Sequence, residues 1–215
     1  MNTRLSDAEL AEMAAERRLV GYFGYGSLVN RATLRTGIVA AYPARLSGWR
    51  RFWRSPPDLG SLDHDRVRPA LLTVGRQVGA AVDGLLVIDL AENLAAVDAR
   101  EIHYHRREIS VSELSFYGPT PAWSCPLHVY EAREDVPAVS GTPLIWRSYL
   151  DAVLQGFRAE HGPDGVHRFM SETAGFDFAI AEDRDAPLYP RAVRLDGEEI
   201  GLYDRVTARL KAAVT

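Results

Sequence analysis

The sequence predicts a mixed α/β (α+β) protein in which short strands form a mixed sheet or small barrel with helices on its flanks. Two observations lead to this fold class. From residue 40 to residue 90, strand-like stretches alternate with Pro, Gly and Asp. Helical patterns lie before and after this region, so strands and helices do not alternate as they do in repeated βαβ units.

The chain begins with a helical signal. Ser6 followed by Glu9 is typical of a capping box, and the apolar spacing predicts a helix that ends near Arg18. The next residues, LVGYF, are strand formers, and Gly24 and Gly26 interrupt them. We expect a buried strand, a special turn and then a helix from Asn30 to Thr36.

The remaining elements follow from the same patterns. Strands are predicted for AAYPARLSGWRRFW, RPALLTV, AAVDGLLVIDL, YHRREISV and WSCPLHVYEA, with SPPDLGSLDHDR as a loop. Helices are predicted for residues 91–100, for LIWRSYLDAVLQGF and for DRVTARLKAAV, with RLDGEEIG as a hairpin between the last two. Residues 1–18 form an extension to one domain, residues 19–215, with a core at 19–157 and a C-terminal extension at 158–215.

Composition excludes several function classes. The net charge is −4 and the arginines are spread along the chain, which argues against nucleic-acid or anionic-membrane partners. The single Cys125, predicted in mid-strand, has no second cysteine for a disulfide or a thiolate zinc site. The first residues lack a signal-peptide core, and no stretch reaches the roughly 20 apolar residues of a spanning helix. We expect a cytoplasmic protein.

The most informative stretch is YFGYGSLVN. Glycines at 24 and 26 permit positive φ angles and the close approach of a ligand to the backbone, so consecutive amides can face a negative charge. A following helix would add the positive end of its dipole. The alternative is a tight turn that only connects a strand to a helix. Tyr25 and Val29 stand where a nucleophile elbow needs glycines, so Ser27 is not predicted as a nucleophile.

A second candidate is Glu101, at the junction of a predicted helix and strand. A general base near neutral pH needs a carboxylate with a raised pKa, and either burial or the neighbouring Asp98 would raise it. The alternative is a solvated charged face that also includes Arg100 and Arg106.

A metal site is a weaker hypothesis. His103 and His105 alternate along a predicted strand and would point to the same side. No spacing nominates a third ligand among His64, His128, His161 and His167, so we predict no metal and no cofactor.

Taken together, YFGYGSLVN, VDGLLVIDL, DAREIHYHR, HVYEA and SYLDAVLQGF resemble the γ-glutamylcyclotransferase-like superfamily, which includes the ChaC-type and AIG2-like proteins. The resemblance covers roughly residues 19–157. It implies a compact α/β fold with a small barrel-like sheet, no cofactor, and the release of 5-oxoproline and a free amine from a γ-glutamyl substrate, as in glutathione metabolism.

The resemblance also implies residue roles. Glu101 matches the family's catalytic glutamate. The substrate loop corresponds to Gly24, Tyr25, Gly26, Ser27 and Leu28, and Tyr104 and Tyr149 match tyrosines of the same pocket. From the C-terminal extension, Arg184, Tyr189 and Arg191 either cap the pocket or pack, and we favour packing.

Some alternatives stay open. Where ChaC-type proteins carry an Arg-Gly stretch and a Pro-Gly turn, this chain has SPPDLGSLDHDRVRPALL, so glutathione is not singled out over other γ-glutamyl donors. A catalytically silent small-molecule binding protein and a γ-glutamyl amide hydrolase are the competing functions. The apolar face of the first helix packs either on its own domain or against a second copy, which would make a homodimer.

Overall fold

Over residues 5–34, 37–58 and 68–211, which it describes, the computed structural model contains a seven-stranded mixed sheet, a two-stranded sheet and four α-helices. The strands are β1 Leu19–Gly24, β2 Ala40–Arg54, β3 Leu71–Leu90, β4 Tyr104–Ile109, β5 Leu114–Phe116, β6 Leu127–Ala132, β7 Ile145–Trp146, β8 Thr173–Ala174 and β9 Ile180–Ala181. The helices are α1 Asp7–Ala15, α2 Leu94–Arg100, α3 Arg147–Glu172 and α4 Gly197–Lys211. The predicted α+β class is confirmed.

The main sheet is open. Its order is β4-β6-β1-β3-β2-β5, and β8 also pairs with β2. Strand β1 lies in the middle, antiparallel to β3 and parallel to β6, so both of its edges are paired and all six of its residues are buried. Since β4 and β5 do not pair with each other among the described strands, the sheet does not close into the small barrel that the sequence suggested.

The first helix has the predicted capping box. The Ser6 hydroxyl accepts a hydrogen bond from the amide of Glu9, and the Glu9 carboxylate accepts one from the amide of Ser6. Leu10 of this helix is buried in the main core cluster. Leu5, Met13 and Ala14 pack against the same cluster, so the apolar face of the extension packs on its own domain.

The predicted helix after the loop and the two strands predicted between residues 68 and 90 differ from the structure. Instead of a helix over Asn30–Thr36, the chain forms two single 3₁₀ turns, Ser27–Val29 and Arg31–Thr33, and residues 35–36 lie outside the described residues. The two strands predicted between residues 68 and 90 are one long strand, β3, with a register shift against β2 near Ser47. Much of the predicted loop SPPDLGSLDHDR, residues 59–66, also lies outside the described part of the chain.

The predicted hairpin RLDGEEIG is wrong. Helix α4 begins within it because Asp196 and Glu199 form a capping pair: the Asp196 carboxylate accepts from the Glu199 amide at 2.8 Å, and the Glu199 carboxylate accepts from the Asp196 amide at 3.1 Å. Cys125 also lies before β6 rather than within it, since β6 begins at Leu127.

No helix in the described ranges combines the length and apolarity that crossing a bilayer requires.

Candidate active site

The loop that follows β1 forms one wall of a cavity of about 210 Å³. Every predicted site residue contributes to this cavity, including Glu101, Tyr104 and Tyr149, although these residues are far apart in the sequence. The complete lining is Phe23, Gly24, Tyr25, Gly26, Ser27, Leu28, Leu72, Arg100, Glu101, Tyr104, Tyr130, Tyr149 and Arg191. The sequence therefore located the members of one hollow, and their catalytic roles stay predictions.

The glycines of this loop serve close packing. Neither Gly24 nor Gly26 has the positive φ angle that the sequence allowed, and the φ angle of Gly26 is −128°. A Cβ atom on Gly26 would lie 2.9 Å from the Tyr149 hydroxyl oxygen and 3.2 Å from Cδ2 of Leu72. The loop backbone therefore lies directly against the tyrosine at the start of α3.

Helix α3 holds the loop from behind. The side-chain amide of Asn30 donates to the carbonyl oxygen of Ala152 at 2.9 Å and to Oε1 of Gln155 at 3.0 Å. At Gly156, a Cβ atom would lie only 2.5 Å from the backbone nitrogen of Asn30. This contact explains why a glycine ends the SYLDAVLQG stretch on the buried face of α3.

The amides of Gly26 and Leu28 have no hydrogen-bond partner among the described residues. The amides of Val29 and Asn30 are used within the turn, where they donate to the carbonyls of Gly26 and Ser27. For Gly26 and Leu28, the described residues supply no hydrogen-bond acceptor to the backbone N–H. A single 3₁₀ turn follows in place of the expected helix, so this loop offers unbonded amides rather than the positive end of a helix dipole.

Glu101 ends helix α2 and faces the cavity. Its amide donates to the carbonyl of Val97, and its own carbonyl accepts from the amide of Tyr104, so the backbone is fixed on both sides. The side chain is 18% exposed. Burial raises the pKa of Glu101, an effect that nearby Arg100 and then Arg191 oppose by favouring the carboxylate.

The sequence predicts two possible causes for a raised pKa of Glu101, burial and a neighbouring Asp98, and only burial applies. Asp98, expected as a neighbouring acid, is instead occupied: it accepts hydrogen bonds from the Tyr130 hydroxyl at 2.7 Å and from Arg106 at 2.5 Å. Desolvation is therefore the source of the shift. Arg100 donates only a long hydrogen bond of 3.4 Å to Glu101, which leaves the carboxyl group free to contact a ligand.

Tyrosine rings form most of the remaining wall. The hydroxyl groups of Tyr25 and Tyr104 are used within the protein, since they donate to the backbone carbonyls of Tyr130 (2.5 Å) and Leu72 (3.1 Å). Burial raises the pKa of both phenols. They are therefore neutral at physiological pH, and they shape the cavity without adding charge.

The C-terminal extension contributes more than predicted. Arg184 packs as expected, in ion pairs with Asp151 and Asp204. The expectation of packing is wrong for Arg191, which lines the cavity. No local pattern marks Arg191, because its position depends on a chain reversal long after the motifs end.

The described histidines are not grouped into a metal centre, and His64 lies outside the described residues. His103 lies in the turn before β4, and His105 is hydrogen-bonded to Asp135 at 2.8 Å. In the described part of the chain, no three His, Cys, Asp or Glu side chains are grouped so that they could hold a metal ion.

Comparisons with known proteins support the fold. No family model and no curated protein sequence matches the chain. A solved structure named Gamma-glutamyl cyclotransferase is 15% identical with a TM-score of 0.52, and the match covers 88% of this chain and 99% of that one. The uncharacterized protein loc79017 from Homo sapiens is 16% identical with a TM-score of 0.50 and the same two coverages.

A third solved structure, YkqA from Bacillus subtilis, is 14% identical with a TM-score of 0.51. That match covers 76% of this chain but only 57% of YkqA. Together these likenesses confirm the fold that the motif resemblance implies: the chain has a γ-glutamylcyclotransferase-like fold.

Proposed function

We propose that this protein is a γ-glutamylcyclotransferase, which converts a γ-glutamyl compound into 5-oxoproline and a free amine, amino acid or peptide. The observation that carries the proposal is the buried carboxyl group of Glu101, with its raised pKa, in the same cavity as the unbonded amides of Gly26 and Leu28. A protein of similar fold is named for this activity, which supports the same reading.

The chemistry requires few catalytic groups. In a γ-glutamyl substrate, the α-amine can reach the γ-carbonyl carbon and close a five-membered ring, so the nucleophile is part of the substrate. Its ammonium form must first lose a proton. Glu101 accepts this proton as the carboxylate and then donates it to the departing nitrogen as the carboxylic acid.

The environment of Glu101 suits both steps. A carboxyl group whose pKa is raised toward neutrality is a better general base than an ordinary glutamate and a usable general acid in the next step. The amides of Gly26 and Leu28 donate to the oxyanion that forms on the γ-carbonyl oxygen during ring closure. The buried tyrosine rings form part of the wall around the reacting atoms.

The experiment is a panel of γ-glutamyl amino acids, γ-glutamyl amines and glutathione, assayed for 5-oxoproline with native protein and with Glu101→Gln. We expect 5-oxoproline from at least one donor and a loss of about 10²- to 10⁴-fold in kcat/KM for the variant. Glu92→Gln, which changes an exposed carboxyl group in the turn before α2, is the control and should match the native protein.

Three outcomes would reject the proposal. Free glutamate in place of 5-oxoproline would identify an amide hydrolase. Donor binding without any product would identify a catalytically silent binding protein. Full activity of Glu101→Gln would remove Glu101 from the mechanism.

A further inference from the structure

An arginine from the C-terminal extension completes the cavity. Arg191 lies 90 residues after Glu101 in the sequence, yet both side chains line the same hollow of about 210 Å³. The two groups are close enough for Arg191 to oppose the upward pKa shift of Glu101. The proposed mechanism gives this arginine no role.

The turn that carries Arg191 is fixed on two sides. The amide of Tyr189 donates to the Ser148 hydroxyl at 3.2 Å, at the start of α3. Arg191 Nη1 donates to the carbonyl of Thr33 at 3.2 Å, in the segment that follows the substrate loop. The amide of Ala192 closes the turn by donating to the Tyr189 carbonyl at 3.1 Å.

Aromatic contacts orient the guanidinium group. Tyr189 is 8% exposed, and its ring meets the ring of Tyr149 edge-on, with 5.0 Å between centroids. The guanidinium carbon of Arg191 lies 5.3 Å from the centroid of the same Tyr189 ring. Arg191 is therefore held in place before any ligand arrives, which reduces the entropy lost on binding.

Among the described residues, no acidic side chain forms an ion pair with Arg191. Of the five guanidinium N–H groups, one is used by the Thr33 carbonyl, and no carboxylate of residues 5–34, 37–58 or 68–211 is paired with Arg191. Arg184 of the same extension, in contrast, contacts two aspartates. A fixed and partly buried guanidinium with free donors is suited to bind a carboxylate in two-pronged geometry.

We propose that Arg191 binds the α-carboxylate of the γ-glutamyl group, an assignment that rests on the proposed function. The α-carboxylate and the α-ammonium are attached to the same carbon atom. A cation that binds the α-carboxylate must therefore lie in the same small cavity as the base that deprotonates the α-ammonium. Arg191 meets this condition beside Glu101. The loop amides of Gly26 and Leu28 remain available for the γ-carbonyl oxygen.

The pairing also assists the chemistry. A free α-carboxylate stabilises the neighbouring ammonium and holds its proton more tightly. Neutralising that carboxylate with Arg191 lowers the pKa of the ammonium and brings it closer to that of Glu101. Arg191 thus orients the substrate and makes its amine easier to deprotonate.

The test compares two donors that differ only in the α-carboxylate. The first is the γ-glutamyl amide that the native protein converts best, and the second is the 4-aminobutanoyl amide of the same amine, which cyclises to 2-pyrrolidinone. We expect Arg191→Gln to lower kcat/KM about 10- to 100-fold with the first donor and by less than about 3-fold with the second. Arg191→Lys, which keeps the charge, should lie between native and Gln.

Arg194→Gln is the matched control, since it removes an exposed arginine of the same extension that does not line this cavity. It should leave both donors unaffected. An equal loss with both donors, or no loss with either, after Arg191→Gln would overturn the assignment. A loss confined to donors whose leaving group carries a carboxylate would also overturn it.

A binding measurement separates this proposal from the proposed function, because it needs no turnover. By calorimetry, native protein should bind 5-oxoproline more tightly than 2-pyrrolidinone, and Arg191→Gln should lose that preference. This result without any enzymatic product would support the carboxylate site while rejecting cyclotransferase activity. Native protein without such a preference would overturn the carboxylate site even if 5-oxoproline is produced.

Discussion

The buried guanidinium of Arg51 donates a hydrogen bond of 3.0 Å to the carbonyl oxygen of Tyr25. Because a peptide unit is planar and trans, the N–H of Gly26 points away from the carbonyl that Arg51 holds. The same guanidinium donates to the Thr173 hydroxyl at 2.7 Å and to the Asp83 carbonyl at 3.1 Å. Arg51 therefore fixes the orientation of one of the two free loop amides.

Substituting Arg51 with lysine should disturb both stability and activity. An ammonium group cannot reach three acceptors on three separate segments, nor stack on the Phe157 and Phe169 rings as the guanidinium does. We expect Arg51→Lys to lower the free energy of unfolding by about 1–3 kcal/mol and to reduce kcat more than it raises KM. Arg50→Lys, an exposed neighbour on β2, is the control for both measurements.

A methyl group at Gly26 should push the loop away from Tyr149. The added Cβ would lie 2.9 Å from the tyrosine hydroxyl, closer than normal packing allows. We expect Gly26→Ala to reduce stability by roughly 1–3 kcal/mol and to abolish most activity, as measured by thermal unfolding and product formation.

The double variant Gly26→Ala/Tyr149→Phe removes the clashing oxygen and should recover part of the lost stability. Gly37→Ala serves as the control, since a Cβ there has no neighbour within 4 Å. Equal stability of the Gly26→Ala and Gly37→Ala variants would contradict the close contact.

Glu101 should reduce the stability of the folded protein at neutral pH. Its pKa is raised by burial, so between the ordinary glutamate pKa and the raised one the folded state binds more protons than the unfolded state. Stability then falls as the pH rises through this window. We expect the free energy of unfolding of Glu101→Gln, relative to native, to increase from pH 4 to pH 8, measured by urea denaturation. A difference that shrinks with rising pH would contradict the burial of the charge.

The thiol of Cys125 should be unreactive and unnecessary. Burial raises the pKa of Cys125 to about 11, and the thiolate is the reactive form. We expect alkylation by iodoacetamide at pH 8 to be on the order of 100-fold slower than for N-acetylcysteine. Urea-unfolded protein is the control and should react at the normal rate. Rapid alkylation with loss of product would instead favour a cysteine-dependent hydrolase.

The sequence predicted best what depends on local chemistry. The Ser6 and Glu9 capping box and the buried strand before Gly24 are local patterns, and both are present. The motif resemblance also implies that the loop and Glu101 belong to one pocket, which no local pattern shows, and both line one cavity in the structure. The helix predicted from Asn30 is absent because Asn30 is used elsewhere. Its side-chain amide donates to the carbonyl of Ala152 in α3, and its backbone N–H donates to the carbonyl of Ser27 in the preceding turn.

Long-range packing accounts for what the sequence missed. Arg191 reaches the cavity through contacts of its turn with Ser148 and Thr33, which lie 41 residues from Tyr189 and 158 residues from Arg191, respectively. The raised pKa of Glu101 likewise depends on burial against distant segments. The Asp-Gly dipeptide between strand-like residues favours a hairpin, whereas Asp196 and Glu199 instead cap helix α4.

The distance in sequence between Tyr25 and Arg191 also matters while the protein is being made. Since chains emerge from the ribosome N-terminus first, the loop, the glutamate and the central sheet are all exposed before the last wall of the cavity has been translated. A nascent chain that ends at residue 172 already carries Glu101 but lacks the turn that fixes Arg191 beside it. With the proposed role of Arg191, ligand recognition begins only after the turn at residues 189–192 has been made and has docked on Ser148 and Thr33.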